Sequence, residues 1–547
     1  MPEGTPPPRN GEPGRTLRLG SDVEIAGKLI ERLEEEFGQL VADEGSQWNY
    51  NSFHWEPIPE AALRRAVHKF DGNIYGFTKG GEAKRVSLSK SRVDSVLNEA
   101  DAMLDVEPEG FFAKTSVAVG INCTSGFISI DATGAATLTP HDPEHRQRHV
   151  LPHSWAPPEA DEDEEDGDDD LTYVDAPSGS LLHALLEGVF RDDPDALEKK
   201  VLLQEIAGVA ALGYSTRMTT PRAIVLWGKT AENGKSQVLQ ILRGLLPESA
   251  VVTIPADKLA DERYLVRMVG KLLNTSDELS GEAVASDTFK KCITGDPISA
   301  RDVYKASVDF KPQALHVYAT NLLPAFRGGV DRGILRRMLV MAFLRTIPED
   351  ERVRDIGARI IEEEGDILLS WAVRGACRVV RQGSYTMGAA AKADAELWKF
   401  DTDPVLAWAK GALDVSSIQA RGDYSTKVSP NRVIAGEVYA AFRNWAIAEG
   451  FTQGTLPGPR AFWSRVTAHY PTVNEEAGAR LKTYCGLRLI SEHEPPKPFS
   501  PPLPEAPTGP PVRHAQEWRY RQEKKPPPVV PVITRAMESA WSADIPF

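Results

Sequence analysis

Ala223-Ile-Val-Leu-Trp227 runs directly into Gly228-Lys-Thr-Ala-Glu-Asn-Gly-Lys-Ser236, and an apolar helical pattern at Val238, Leu239, Ile241, Leu242 and Leu245 follows. Five residues without a polar member read as a buried strand, so strand, glycine loop and helix come in that order. Such a loop turns backbone N–H groups and a helix N-terminus toward phosphate oxygens. Gly228, Asn233 and Gly234 would shape the cradle, Lys235 would reach the β- and γ-phosphates of ATP, and the Ser236 hydroxyl would ligate Mg²⁺. Five residues, rather than the usual four, separate Gly228 from the Gly234-Lys235 pair. Gly228 is therefore where the loop departs from the pattern.

Working outward, Lys271-Leu-Leu-Asn-Thr-Ser276 reads as a second buried strand ending at Asp277-Glu278. Acids at a strand's C-terminal end beside a phosphate loop can hold the metal's water shell and polarise an attacking water, with Asp277 on the metal side. A third strand, Leu315-His-Val-Tyr-Ala-Thr320, ends at Asn321, whose amide can orient that water. Arg336 and Arg337 precede a strand predicted over Met338 to Phe343. Their expected role is to meet transition-state charge on a neighbouring subunit's γ-phosphate, Arg337 ahead of Arg336.

The rest of the chain sets the frame. At roughly 150 residues per domain, 547 residues predict three to four folded units. The four cysteines form no CxxC pair, so neither a disulfide framework nor a zinc ribbon is signalled. No stretch approaches the roughly 20 apolar residues that span a bilayer, and the Pro/Gly-rich start does not read as a signal peptide. The net charge of −15 is local: residues 161–170 hold nine acids, and without them the chain stands at −6. That run reads as a solvated linker. Asp168 and Asp170 within it have no strand to fix them as a catalytic pair, so primer synthesis by this chain is not expected.

Before the linker, Ser21 with Glu24 predicts a capping box, opening a helix whose face runs through Ile25, Leu29, Ile30, Leu33, Phe37, Leu40 and Val41. Turn-rich sequence with short strands follows, over Trp48 to Trp55, Val117 to Ile121 and Phe127 to Ile130. Near the other end, Val438, Ala441, Phe442 and Trp445 share one helical face, and Pro459 opens a second helix through Phe462, Trp463 and Val466. With wing strands over Leu481 to Ile490, this unit fits a winged helix. Five basic residues face two acids between Pro459 and Ile490, marking Arg460, Arg465 and Lys482 as candidate DNA contacts. Fourteen prolines among the last 53 residues predict a tail that does not fold alone.

The set Asn233-Gly-Lys-Ser236, Asp277-Glu278, Thr294-Gly-Asp-Pro-Ile-Ser-Ala-Arg-Asp-Val-Tyr-Lys305, Ala319-Thr-Asn-Leu-Leu-Pro324 and Arg336-Arg337 resembles the superfamily 3 helicases of phages, plasmids and poxviruses. The stretch from Gly20 to His141 is similar to the domain preceding the motor in poxvirus-type helicase-primases, and Gln204-Glu205 with Gly208 fits its approach to the phosphate loop. The resemblance implies an α/β AAA+ P-loop motor at 221–372 with a helical collar at 179–220. An N-terminal α+β domain at 21–157 would lie ahead of the acidic linker at 158–178. A helical connection at 373–403, a winged-helix-like domain at 404–492 and the Pro-rich tail at 493–547 would follow. It implies a ring, expected to be a hexamer, that hydrolyses ATP with Mg²⁺ to translocate on single-stranded or forked DNA in a bacterial host's cytoplasm. A channel hairpin would carry Tyr304 and Lys305 onto bases and phosphates. The alternative is a DNA-binding initiator or loader in which ATP only sets assembly state. The ending Asp544-Ile-Pro-Phe547 resembles the C-terminal tip of bacterial single-stranded-DNA-binding proteins, so host proteins that read that tip are expected partners.

Overall fold

A computed structural model describes residues 17–104, 110–112, 118–158, 173–228, 230–277, 279, 287–301, 307–321, 332–389, 391–394, 403–415, 432–449, 456–476 and 480–490. Glu278, Tyr304, Lys305, the acidic run and the tail lie outside these residues. At the centre is a five-stranded parallel sheet in the spatial order Val251–Val252, Leu273–Ser276, Leu315–Thr320, Ala223–Trp227, Met338–Ala342. Four of these strands are buried along their whole length because helices cover both faces. Alternation divides the side chains. Ile224, Leu226, Val317, Ala319, Leu339 and Met341 pack under helix Lys235–Gly244 and helices Leu181–Phe190, Ala196–Leu212 and Gly365–Gln382. On the other face Ala223, Val225, Trp227, Tyr318, Met338 and Val340 meet Phe289, Cys292 and Ile293.

Asn274, a buried polar side chain on that second face, is satisfied internally. Asn274 takes the Ile254 N–H at 2.8 Å and donates to the Ile254 carbonyl at 3.1 Å, while its amide also meets His316 Nδ1 at 3.1 Å. Burial pushes the His316 pKa down to about 4, keeping the ring neutral.

The N-terminal unit begins as a capped helix, Asp22–Phe37. Ser21 accepts the Glu24 N–H at 3.3 Å, and the Glu24 carboxylate reaches back to the N–H groups of Leu19 and Gly20 at 2.8 and 2.7 Å. Gly38, at φ +85°, ends it, so Leu40 and Val41 lie on strand Leu40–Asp43 and not on the helical face expected for them. Two helices unforeseen in the turn-rich stretch, Glu60–His68 and Lys90–Met103, pack with the first around Ile25, Leu29, Val67 and Val96.

Packing crosses the expected boundary near residue 157. Ile121, Cys123, Ile128, Ile130, Leu151 and Trp155 join the same apolar cluster as the sheet. The strap 147–155 ties the two together. His149 bonds Ser249 Oγ and the Gly270 carbonyl, His153 the Gly244 carbonyl, and the Ser154 N–H the Asp366 carboxylate. Gln204 and Glu205, in the run-up to the phosphate loop, are fully buried. They sit in the joint between helices Ala196–Leu212 and Gly365–Gln382, where Arg378 bonds Glu205 Oε1 at 2.7 Å and Gln204 Oε1 at 2.8 Å. Gly208 lets the two backbones close up, since a Cβ there would stand 2.3 Å from Ala376 N.

Nearer the C-terminus, helices Pro404–Ala412, Ala435–Ala448 and Pro459–His469 enclose Trp408, Phe442, Phe462 and Trp463. Short antiparallel strands, Arg432–Ile434, Asn474–Glu475 and Thr483–Cys485, lie beside them. Among the described residues, no helix is long and apolar enough to cross a membrane.

Candidate functional site

All five sheet strands point the same way, so their C-terminal ends share one edge, the usual place for ligands in open parallel sheets. Trp227 leads there into Gly228, whose N–H donates to the Thr320 carbonyl at 3.2 Å. Asn321, exposed, is therefore level with Gly228 and one strand spacing, about 5 Å, to the side. Asp277, also exposed, follows Ser276 two strands over, about 10 Å from the loop strand. The sheet thus brings the loop, the acid and the amide together, Gly228 and Asn321 being 93 positions apart in the chain.

The loop itself is tightly specified. Glu232 and Gly234 both adopt the left-handed region, at φ +63° and +83°, turning the chain into helix Lys235–Gly244. Lys235 is 7 % exposed, and its ammonium donates to the Gly228 carbonyl at 3.2 Å and to Asn233 Oδ1 at 2.9 Å. Asn233, 3 % exposed, donates in turn to the Thr230 carbonyl at 2.7 Å. Burial lowers the Lys235 pKa, because no anion stands beside it among the described residues. A Cβ on Gly228 would lie 2.1 Å from the Asn233 amide and 2.8 Å from the Phe343 carbonyl. The departure in spacing thus falls on a position that tolerates only glycine. Ser236 is exposed on the first helical turn, facing away from the packed core.

Beside the loop opens a cleft of about 380 Å³, within the range of small-molecule sites. Ala184, Leu185, Ile347, Val353 and Ile356 line it with Gly234 and Gln237. Its rim is charged: Arg191 and Arg345 both grip Glu351, at 2.8 and 2.7 Å, holding that carboxyl below its ordinary pKa, chiefly through the Arg345 hydrogen bond. Arg352 pairs with Glu232 of the loop at 2.6 Å. The sequence motifs do not mark these residues, which come from segments before and after the loop that only folding unites.

Arg336 and Arg337 close helix Arg332–Arg337 at the opposite, amino edge of the sheet. Six residue steps along the loop strand separate that level from Gly228, about 20 Å, beyond the reach of an arginine side chain. Arg337 donates to the Gly333 carbonyl at 3.1 Å, and its Nε is buried without a hydrogen bond among the described residues; Arg336 is exposed. The hairpin expected to carry Tyr304 and Lys305 is present as Ile298–Arg301 paired with Ser307–Phe310. Of the three basic residues near the C-terminus, Arg460 is exposed. Arg465 instead faces buried Asp403 at 3.5 Å, so it serves to hold the start of helix Pro404–Ala412 and is not a free DNA contact. Lys482 pairs with Glu475 at 2.9 Å across an exposed surface.

A family model described as D5 N terminal like matches residues 30–187, and one described as a family of unknown function (DUF5906) matches residues 226–337. The second runs from the end of the loop strand to Arg337. No curated protein matches the chain. Among solved structures, two described as the A form apo structure of the NrS-1 C terminal region share 13 and 11 % identity, cover 84 and 86 % of this chain and 98 and 100 % of theirs, with TM-scores of 0.37 and 0.39. A third, the apo structure of that region, shares 12 % over 84 % of this chain and 98 % of its own, at 0.36.

Proposed function

We propose that this chain is an ATP-driven DNA helicase of the superfamily 3 kind, an AAA+ P-loop motor acting as a ring in phage or plasmid DNA replication. The observation that carries the reading is the convergence of the Gly228–Ser236 loop, Asp277 and Asn321 on one sheet edge around a buried lysine. The D5 N-terminal-like region supports relatedness to phage replication proteins.

The residues fit ATP with Mg²⁺. Lys235 is desolvated and bonded only to neutral oxygens, which phosphate oxygens would replace with stronger, charge-assisted bonds. The apolar cleft beside Gly234 is suited to the purine, with Arg352 and Arg191 at its rim. Mg²⁺, when bound, supplies charge neutralisation on the phosphates; Ser236 and Asp277 are the groups to hold it. Asn321 is in reach to orient the attacking water, with Glu278 assigned to polarise it. Arg337, too far to serve its own loop, is assigned to the phosphate site of the next subunit, which is the reason to expect a ring.

DNA would pass the 298–310 hairpin, whose Tyr304 and Lys305 are assigned to bases and phosphates, and Arg460 and Lys482 are the exposed candidates near the C-terminus. Melting costs about 1.4 kcal/mol per base-pair step, so unwinding requires hydrolysis at each advance. The test is ATP turnover by the purified chain and by Lys235→Ala. Mg²⁺-dependent phosphate release that the substitution abolishes supports the reading, and release that survives it contradicts the site. A loader or initiator without processive unwinding is distinguished by hydrolysis without strand displacement.

A further inference from the structure

The N-terminal hairpin of Ile74–Phe77 and Ala83–Arg85 carries a surface that neither the phosphate site nor the 298–310 hairpin uses. It is rooted in the N-terminal core by Tyr75, whose ring lies against Gly20, and by Val86, which is buried. Its turn is closed by three hydrogen bonds. The Thr78 N–H donates to the Glu82 carbonyl at 2.8 Å, the Gly81 N–H to the Thr78 carbonyl at 3.0 Å, and the Glu82 N–H to the Thr78 hydroxyl at 3.2 Å.

Phe77 is 58 % exposed at the end of its strand. Ala83 stands directly opposite, and its methyl group is too small to cover a phenyl ring. Alternation puts Arg85 on the same face, two residues beyond Ala83, about 7 Å along the strand. Arg85 donates to the Gly72 carbonyl at 2.9 Å, which fixes the guanidinium while its other donors stay in solvent. Lys79 in the turn and Lys84 on the other face are exposed as well. Three basic residues and one acid, Glu82, give residues 74–85 a charge of +2 in a chain of −15.

An apolar peptide would use the ring and gain nothing from the cations, and a free anion would use the cations and not the ring. A single strand uses both, since every unpaired base offers a π face and every nucleotide a phosphate. We propose that this hairpin holds single-stranded nucleic acid, with one base stacked on Phe77, the adjoining phosphate on Arg85 and Lys79 adding charge at the turn. The choice of ligand rests on the DNA-motor reading.

The test uses the full chain without ATP. Anisotropy of a labelled oligothymidylate is titrated across a salt series for the wild type and four variants. Phe77→Ala is expected to weaken binding by about 5- to 150-fold, the range for one lost base stack. Phe77→Leu, apolar but without a π face, is expected to recover little of that loss and Phe77→Trp most of it. Arg85→Gln is expected to lower the slope of log K against log salt by about 0.7, the value of one single-strand phosphate contact. Melting temperatures are expected to match the wild type, because exposed positions contribute little to stability. Weakened binding in a chain whose ATP turnover survives Lys235→Ala supports the hairpin site while removing the motor reading. Unchanged affinity for Phe77→Ala together with an unchanged slope for Arg85→Gln overturns the hairpin site, and leaves the motor reading standing where turnover depends on Lys235. Loss of self-association by Phe77→Ala at unchanged DNA affinity assigns the ring to a second copy of the chain and contradicts the strand.

Discussion

Lys235 illustrates how much a single position decides. Its ammonium is buried against two neutral oxygens, a costly arrangement that a bound anion would relieve. A ligand at 100 times its Kd stabilises a fold by about 2.7 kcal/mol; saturating Mg-ATP is expected to raise the melting temperature of the wild type correspondingly and to leave Lys235→Ala unmoved, as differential scanning fluorimetry can read. Gly234 is constrained differently. Its φ of +83° excludes a side chain at little cost, and a Cβ would stand 2.5 Å from Val189 Cγ2. Gly234→Ala is expected to lose at least the roughly 1–2 kcal/mol of the left-handed penalty, read from urea unfolding, and to weaken nucleotide binding by tilting the helix N-terminus.

At the scale of elements, the joint between helices Ala196–Leu212 and Gly365–Gln382 depends on charge in a place where charge is expensive. Glu205 is fully buried, and Arg378 together with the Thr386 N–H and hydroxyl satisfies it. Removing one partner of such a pair costs about 3–5 kcal/mol, so Arg378→Ala is expected to destabilise by that order in chemical denaturation, far more than the loss of exposed Arg359 on its helix Ile356–Glu363. An equal, small effect from both would contradict the joint's importance. This joint also shows what a linear reading misses. Gln204, Glu205 and Gly208 carry a signal strong enough to notice, yet their partners lie some 170 residues later, and only the closed backbone contact reveals them as packing. The central sheet was legible because the unbroken apolar runs at 223–227 and 338–342, with the largely apolar 315–320 between them in sequence, admit one interpretation beside a glycine loop and polar ends. Helices Glu60–His68 and Lys90–Met103 were not, since surrounding turn residues masked their short amphipathic patterns. The loop, Asp277 and Asn321 were likewise legible from local motif order, whereas the cleft from Ala184 to Ile356 exists only in the folded chain.

Across the whole molecule, the strap at 147–155 makes the N-terminal unit and the sheet one body, and its stability is tied to pH. Burial and the nearby Arg148 and Lys271 depress the His149 pKa to about 3, although the Gly270 carbonyl favours the charged form. The folded state therefore binds fewer protons than the unfolded one between that value and about 6.5. Stability rises with pH across that window and falls as the solution is acidified, by up to about 1.4 kcal/mol per pH unit for this group. His316, at about 4, acts in the same direction. A His149→Gln chain is expected to show a shallower acid limb in unfolding measured from pH 7 to pH 4; an unchanged limb would remove the strap from the explanation.

Assembly makes a separate prediction. Because Arg337 lies about 20 Å from its own loop, mixing Arg337→Ala subunits with Lys235→Ala subunits is expected to restore part of the ATPase, as some interfaces then join an intact loop to an intact arginine. Complete absence of rescue in demonstrably mixed rings argues against cross-subunit action. The most direct measurement of the central claim is strand displacement on forked DNA, followed in real time with Mg-ATP for the wild type and for Lys235→Ala. The account predicts unwinding that requires hydrolysis and vanishes with the lysine; unwinding by Lys235→Ala at the wild-type rate would contradict it.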